Sequence, residues 1–182
     1  MSGDPFRRSW NLIPRELLFG KCTRYTPRKG PLPAALPKAL SAPFEIVVKH
    51  VILDASAWLA VLLQEKDSDW ISGHLERQAL FAPELIRYEA ANGLLYAYRK
   101  RHLLNKQVLE SLLKVARDFP IETIPLNVWW KEATRVVTEY SLTFYDASYL
   151  SAAVVLKMPL LTLDGQMIDV MKHEKIHLLA KE

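Results

Sequence analysis

The sequence predicts an α/β fold, a single open sheet of parallel strands with helices on both faces. Two observations carry this expectation. From Glu45 onward, short β-branched, apolar runs alternate with stretches of helical periodicity, and strands separated by helices pair in parallel through right-handed crossovers. The chain has 182 residues and one cysteine, Cys22. That length suits one domain with its own core, and one thiol excludes an internal disulfide framework.

In chain order, Ile46–Val48 and Val51–Leu53 are apolar and β-branched, as in a strand buried on both faces. Asp54 ends that run and turns straight into a helix that continues to Leu63. A second helix is predicted over Asp67–Gln78, and Leu80–Ala82, before Pro83, reads as a short strand. Helical periodicity returns over Glu84–Arg101 and Asn105–Arg117. Ile121–Ile124 is the next strand, followed by helices over Asn127–Tyr140 and the Ala-rich Tyr145–Leu156. Leu160–Leu163 is a strand, Gln166–His173 a short helix and Ile176–Leu179 a last strand. No internal repeat is present.

The first 45 residues have a different texture. They hold seven of the eleven prolines, and eight Lys and Arg against Asp4, Glu16 and Glu45. Such proline density blocks regular structure and predicts an extended, poorly ordered arm over 1–45, with a folded body over 46–182. The arm's charge suits RNA or an acidic partner. The alternative is a dispensable extension or an upstream start-site artefact. The body itself, with 16 basic and 17 acidic residues, is near neutral.

No run of about 20 apolar residues occurs, so no membrane span is expected. The N-terminus has no apolar signal-peptide core. With its single cysteine the chain is expected in the reducing cytoplasm.

Ligands of an open parallel sheet bind outside the carboxyl ends of its strands. Asp54 closes Val51–Leu53, and Asp164 closes Leu160–Leu163. Asp146 sits at the start of the helix before that second strand. Glu89 lies in the Glu84–Arg101 helix with Asn92 one turn on. Taken singly, each has an ordinary structural role. Asp54 and Asp146 suit helix N-caps, Asp164-Gly165 a turn, and Glu89, near Arg87 and Arg99, a solvated helix face. Gathered at one end of a sheet they would repel one another, and one would be forced to protonate. A divalent cation removes that conflict. Oxygen-only ligands favour Mg²⁺ or Mn²⁺ over zinc, and no His or Cys accompanies them in ligand spacing.

The segments VILDASAWLAVLL (51–63), APELIRYEAANGL (82–94), SLTFYDASYLSAA (141–153) and LLTLDGQM (160–167) resemble, in this order, the four acidic motifs of the PIN-domain family. They are most similar to its VapC-type toxin branch. The resemblance covers about 46–180 and leaves the arm unexplained. It implies a PIN-like α/β/α sandwich and a metal-dependent endoribonuclease, the toxin of a type II toxin–antitoxin pair. It implies cleavage of RNA phosphodiester bonds with a metal-activated water, leaving a 3′-hydroxyl and a 5′-phosphate. Asp54, Glu89, Asp146 and Asp164 are then the catalytic residues and the ligands of Mg²⁺ or Mn²⁺. A homodimer and a cognate antitoxin that blocks the acidic site are implied as well. One departure stands out: Gln166 occupies a position where some relatives carry a further acid, which leaves one-metal chemistry open.

Ser56, Thr162 and Asn92 are candidates to orient a carboxylate or water, with helix capping the alternative for Ser56. YAYRKRH (96–102) alternates rings and cations, as RNA contact requires; the alternative is a basic helix end with Tyr96 in the core. His173-Glu-Lys-Ile-His177 spells a zinc-protease motif, but too near the chain end for a third ligand and running into a predicted strand. Of the adjacent Trp129 and Trp130, one is expected to face outward and to hint at a dimer or partner surface. Two other classes compete. One is a PIN-fold module that binds RNA or protein without significant cleavage. The other is a receiver-like or phosphohydrolase-like domain, disfavoured because Asp54-Ala-Ser lacks the paired aspartates of the phosphohydrolases and no lysine follows a late strand as a receiver requires.

Overall fold

The computed structural model describes residues 49–176 and 178–179. The expected arm, Ile46–Val48 and His177 lie outside the described residues. Five parallel strands, β1 (Lys49–Leu53), β2 (Gln78–Pro83), β3 (Ile121–Ile124), β4 (Leu160–Leu161) and β5 (Leu178–Leu179), form one sheet in the order β3-β2-β1-β4-β5. The helices are α1 (Ala55–Leu62), α2 (Ser68–Leu75), α3 (Leu85–Arg99), α4 (Lys106–Asp118), α5 (Leu126–Glu139), α6 (Phe144–Leu156) and α7 (Gly165–Glu174).

The strand order and the right-handed crossover rule together place the helices. From β1 the chain steps outward twice in one direction, through α1 and α2 to β2, then through α3 and α4 to β3. It returns past β1 to β4 through α5 and α6, and steps on to β5 through α7. The first four helices therefore cover one face and the last three the other. Contacts agree: α1 packs on α2 and α3, α3 on α4, α5 on α6, and α6 on α7. The order reverses between β1 and β4, and a crevice opens there outside the strand ends.

The core explains why α6 carries no polar stripe. Ala147 through Ala153, seven consecutive residues, are all buried, because α6 lies against β1, β2 and β4 with α5 and α7 beside it. Five of the seven are Ala or Ser, so little side-chain bulk separates its backbone from these neighbours. Val51, Ile52 and Leu53 of β1 are fully buried, as a strand covered on both faces requires. On the other helical layer, the Trp58 ring packs 4.3 Å from Phe119, centroid to centroid.

Several boundaries move for identifiable reasons. β4 ends at Leu161, two residues before the expected Leu163, because the next backbone donors turn to side chains. Leu163 N–H donates to Ser56 Oγ (3.0 Å) and Asp164 N–H to Thr162 Oγ1 (3.0 Å). The second helix stops at Leu75, since Gln78 already pairs with Lys49 in the sheet. β2 is accordingly longer than Leu80–Ala82, as a strand paired on both edges can be.

Candidate active site

A cavity of about 690 Å³ opens at the β1/β4 switch point, and Asp54, Glu89, Asp146 and Asp164 all line it. Four separate elements deliver them. Asp54 follows β1 and caps α1, its carboxylate accepting from Ser56 N–H at 3.2 Å. Glu89 projects from the second turn of α3. Asp146 stands in the first turn of α6, and Asp164 caps α7, accepting from Met167 N–H at 2.8 Å.

Asp146 corrects one expectation. The cap of α6 is Thr143, whose hydroxyl oxygen accepts from Asp146 N–H (3.2 Å) while its O–H donates to Asp146 Oδ2 (2.6 Å). Thr143 thus supplies the side-chain cap, and the same hydroxyl pins the Asp146 carboxylate. Asp146 is thus the third residue of its helix rather than the cap. Asp164 takes a capping role where a turn was the structural alternative.

Each acid holds a protein donor on one oxygen. Asp54 Oδ2 accepts from Thr162 Oγ1 at 2.8 Å and from Ser56 Oγ. Both residues singled out beside Asp54 therefore orient it. Glu89 Oε2 accepts from Tyr149 O–H at 2.5 Å. Tyr149 is fully buried, and sequence reasoning passed over it. The available signal was its place three residues after Asp146, on the same face of a helix with no polar side, since a buried phenol needs a hydrogen-bond partner. Asn92, the third secondary candidate, also lines the cavity.

Electrostatics set this cavity apart. Asp54 is buried, and that burial raises its carboxyl above the usual range against the opposing pull of Ser56 and Thr162. Burial also raises Glu89, to about 7; the Tyr149 hydroxyl opposes this, and the charges of Asp54 and Asp146 add to it. No Lys or Arg is among the lining residues. The solvated-face alternative for Glu89 fails, because Arg87 turns away. It donates to the carbonyls of Ala116 (2.9 Å), Arg117 (2.7 Å) and Ile121 (3.2 Å) and ties α3 to the end of α4.

The donor set suits a hard divalent cation: all oxygen, partly desolvated, and mutually repelling in a way a cation relieves. Its gathering is looser than a finished coordination shell. Among the described residues, no three His, Cys, Asp or Glu side chains are drawn together closely enough to hold an ion as they stand.

The other sequence candidates separate clearly. Tyr96 is 60% exposed, not core. Trp130 is the outward member of its pair, with its ring 4.7 Å from Phe144. His173 lies in the last turn of α7, with Nδ1 2.8 Å from Tyr140 Oη, and Lys175 closes that helix in the left-handed region. No helix among the described residues is long and apolar enough to cross a membrane.

Comparison with known proteins defines the class. The family model described as PIN domain matches residues 51–172, and the chain belongs to that family. Among curated relatives, Ribonuclease VapC3 of Pyrobaculum aerophilum is 28% identical over 123 residues, 65% of this chain and 92% of the relative. Exonuclease VapC9 of the same organism is 36% identical over 126 residues, 64% of this chain and 82% of the relative. The crystal structure of PAE2754, also from Pyrobaculum aerophilum, superposes with a TM-score of 0.48 at 30% identity, over 67% of this chain and 86% of that one. The receiver-like and phosphohydrolase-like alternatives fall with this assignment.

Proposed function

We propose that the chain is a Mg²⁺- or Mn²⁺-dependent endoribonuclease of VapC type, the cytoplasmic toxin of a type II toxin–antitoxin pair. Asp54, Glu89, Asp146 and Asp164 are its cation ligands. The observation that carries this reading is the meeting of four carboxylates from four elements in one cavity that contains no cationic side chain. Membership of the PIN-domain family and relatives named as nucleases support it.

When bound, the cation supplies Lewis acidity toward water and offsets the charge that builds on the phosphate. The chain's own residues hold the ligands. Ser56 and Thr162 fix Asp54, Tyr149 fixes Glu89, Thr143 fixes Asp146, and the cap of α7 fixes Asp164. In the hydrolysis, water adds to phosphorus and the P–O3′ bond breaks. The leaving oxygen ends protonated as a 3′-hydroxyl, and the phosphate stays on the 5′ side. An antitoxin would oppose this activity by covering the cavity, and the half-exposed Trp130 is a candidate contact for it or for a second copy.

A second reading is a PIN-fold module that binds RNA or protein without significant cleavage, favoured by the looseness of the carboxylate gathering. Purified chain, freed of co-purifying partners, decides between them on a pool of linear RNA and on a circular RNA, with Mn²⁺ or with EDTA. The nuclease reading expects metal-dependent cuts, the circular RNA included because an exonuclease cannot open it. Asp146→Asn should lower the rate by at least about a hundredfold, since even residues that only support metal ligands are worth 10–100-fold. Intact RNA and no Mn²⁺-induced rise in melting temperature would hand the assignment to the binding module.

A further inference from the structure

Helix α3 runs away from the cavity with an unusual solvent face. Tyr88, Asn92, Tyr96 and Lys100 follow one another at four-residue spacing, and all four are exposed. Residues so spaced form one continuous stripe on a helix. At 1.5 Å per residue it extends about 18 Å. Tyr88 and Asn92 belong to the cavity lining beside Glu89. Tyr96 and Lys100 lie outside it, in the ring-and-cation motif noticed in the sequence.

The exposures decide that this is no ordinary helix face. Tyr88 is 66% and Tyr96 60% exposed, although tyrosine rings ordinarily gain by burial. Arg99 and Lys100, at the far end, enter no ion pair among the described residues, while Arg101 turns to Glu65 at 3.2 Å. Across the cavity Tyr145, directly before Asp146, is 63% exposed. It is held outward because Thr143 caps the turn and Phe144 packs on Trp130.

We infer that this stripe is a track for single-stranded RNA leading out of the cavity. Unpaired bases stack on Tyr88 and Tyr96, Asn92 offers a polar contact between them, and a phosphate meets Lys100 at the far end. The inference rests on the nuclease reading for what happens in the cavity, but the track concerns binding alone. Its chemistry sets its selectivity. The cavity lining has no cation to neutralise phosphates, so attraction along the first half of the track comes from ring–base stacking, which paired bases in a duplex cannot offer. Unpaired RNA is therefore preferred to duplex, with little regard to sequence.

The test uses the full chain and a labelled short single-stranded oligoribonucleotide, with dissociation constants measured by anisotropy in Ca²⁺ and cleavage measured separately in Mn²⁺. Stacking is worth roughly a factor of ten or more per base. Tyr96→Ala is thus expected to weaken binding about tenfold and to raise KM similarly with kcat unchanged, whereas Tyr96→Phe stays near wild type. Lys100→Ala should reduce the dependence of log affinity on log salt by about one. Annealing the oligonucleotide to its complement should remove most of the affinity.

Equal affinity in Tyr96→Ala and wild type would overturn the track, as would equal binding of single strand and duplex. So would a change of oligomeric state in Tyr96→Ala at unchanged RNA affinity, which would make the stripe a protein contact. If the variants lose RNA binding while wild type cuts no RNA in Mn²⁺, the track stands and the nuclease reading falls. If wild type cuts RNA and Tyr96→Ala keeps its KM, the reverse holds. If wild type neither binds nor cuts RNA, both fall.

Discussion

Two acidic clusters in this protein solve the same problem in opposite ways. At the end of α5, Glu132, Glu139 and Glu174 surround one guanidinium, that of Arg135, which donates to Glu132 at 2.7 Å, to Glu174 at 3.1 Å and to Glu139. Tyr140 O–H adds a donor to Glu174 at 2.7 Å. These contacts, the Tyr140 bond first, hold Glu174 below its ordinary range. At the carboxyl ends of β1 and β4, four acids share a cavity with no cationic side chain in its lining, and Glu89 is driven up to about 7. The chain supplies the counter-charge where it wants rigidity and omits it where a cation or substrate has to enter. Both clusters contain a tyrosine donating to a glutamate, so the hydroxyl alone does not decide the outcome. Burial, the largest cause at Glu89, and the guanidinium present only beside Glu174 separate the two.

Removing the hydroxyl that stands behind Glu89 should sharpen the contrast most. Tyr149→Phe keeps the buried ring and deletes the one hydrogen bond to Glu89. Mn²⁺ affinity, measured by calorimetry, is expected to fall about 10–100-fold, the usual loss when a ligand's supporting contact goes. Unchanged affinity would mean that Glu89 is not a ligand.

Arg135→Leu is the converse experiment. It leaves three partly exposed glutamates without their cation and should cost about 1–2 kcal/mol, between the values for exposed and buried pairs. RNA cleavage should stay near wild type, because Arg135 does not line the cavity. Urea denaturation and cleavage rate together check this. A stability loss at the cavity's Asp146→Asn as large as that of Arg135→Leu would break the comparison.

The smallest effect is a difference in pH dependence. Glu89 has a folded value of about 7, above the ordinary glutamate value of 4.5, so between these the folded state binds more protons than the unfolded one. Without metal, its contribution to stability is complete below 4.5 and is lost as pH rises through about 7. Glu174 has the opposite sign, since its folded value is depressed. Its contribution is present above 4.5 and disappears as pH falls through the folded value. Melting temperatures across this range in EDTA should therefore decline on both sides. Mn²⁺ should abolish the decline on the alkaline side only, by replacing the proton on Glu89. A decline on the alkaline side that Mn²⁺ leaves untouched would place its cause elsewhere.

Much of the site could be read from the sequence because local signals carried it. Asp54 after a β-branched run and Asp164 before Gly165 mark a strand end and a helix start by residue type alone. Asp146 falls in the first turn of its helix, as expected, but the capping role offered as its structural alternative belongs to Thr143. Thr143 and Asp146 are both capping residues, and only their reciprocal hydrogen bonds assign which is the cap. The sequence pattern makes β4 too long because Thr162 and Leu163 continue its apolar, β-branched character. Their backbone and side chains instead serve Asp54, Ser56 and Asp164, a choice made by contacts more than 100 residues apart in sequence. Arg87, part of the solvated helix face that was the structural alternative for Glu89, instead binds carbonyls of α4 and β3.

The sequence by itself determined the alternation of strands and helices, the positions of Asp54, Asp146 and Asp164 at element ends and of Glu89 within a helix, and the lack of basic residues in the runs around Asp54, Asp146 and Asp164. Periodicity and capping are properties of neighbouring residues, so they need no fold to be recognised. The tertiary structure alone decided that the acids meet in one cavity, that Glu89 is pushed to about 7 while Glu174 is held down, and that Tyr149 stands behind Glu89. Burial and charge–charge energy depend on which segments fold against one another. The order β3-β2-β1-β4-β5 fixes that by returning the chain past β1 and bringing Asp164 beside Asp54.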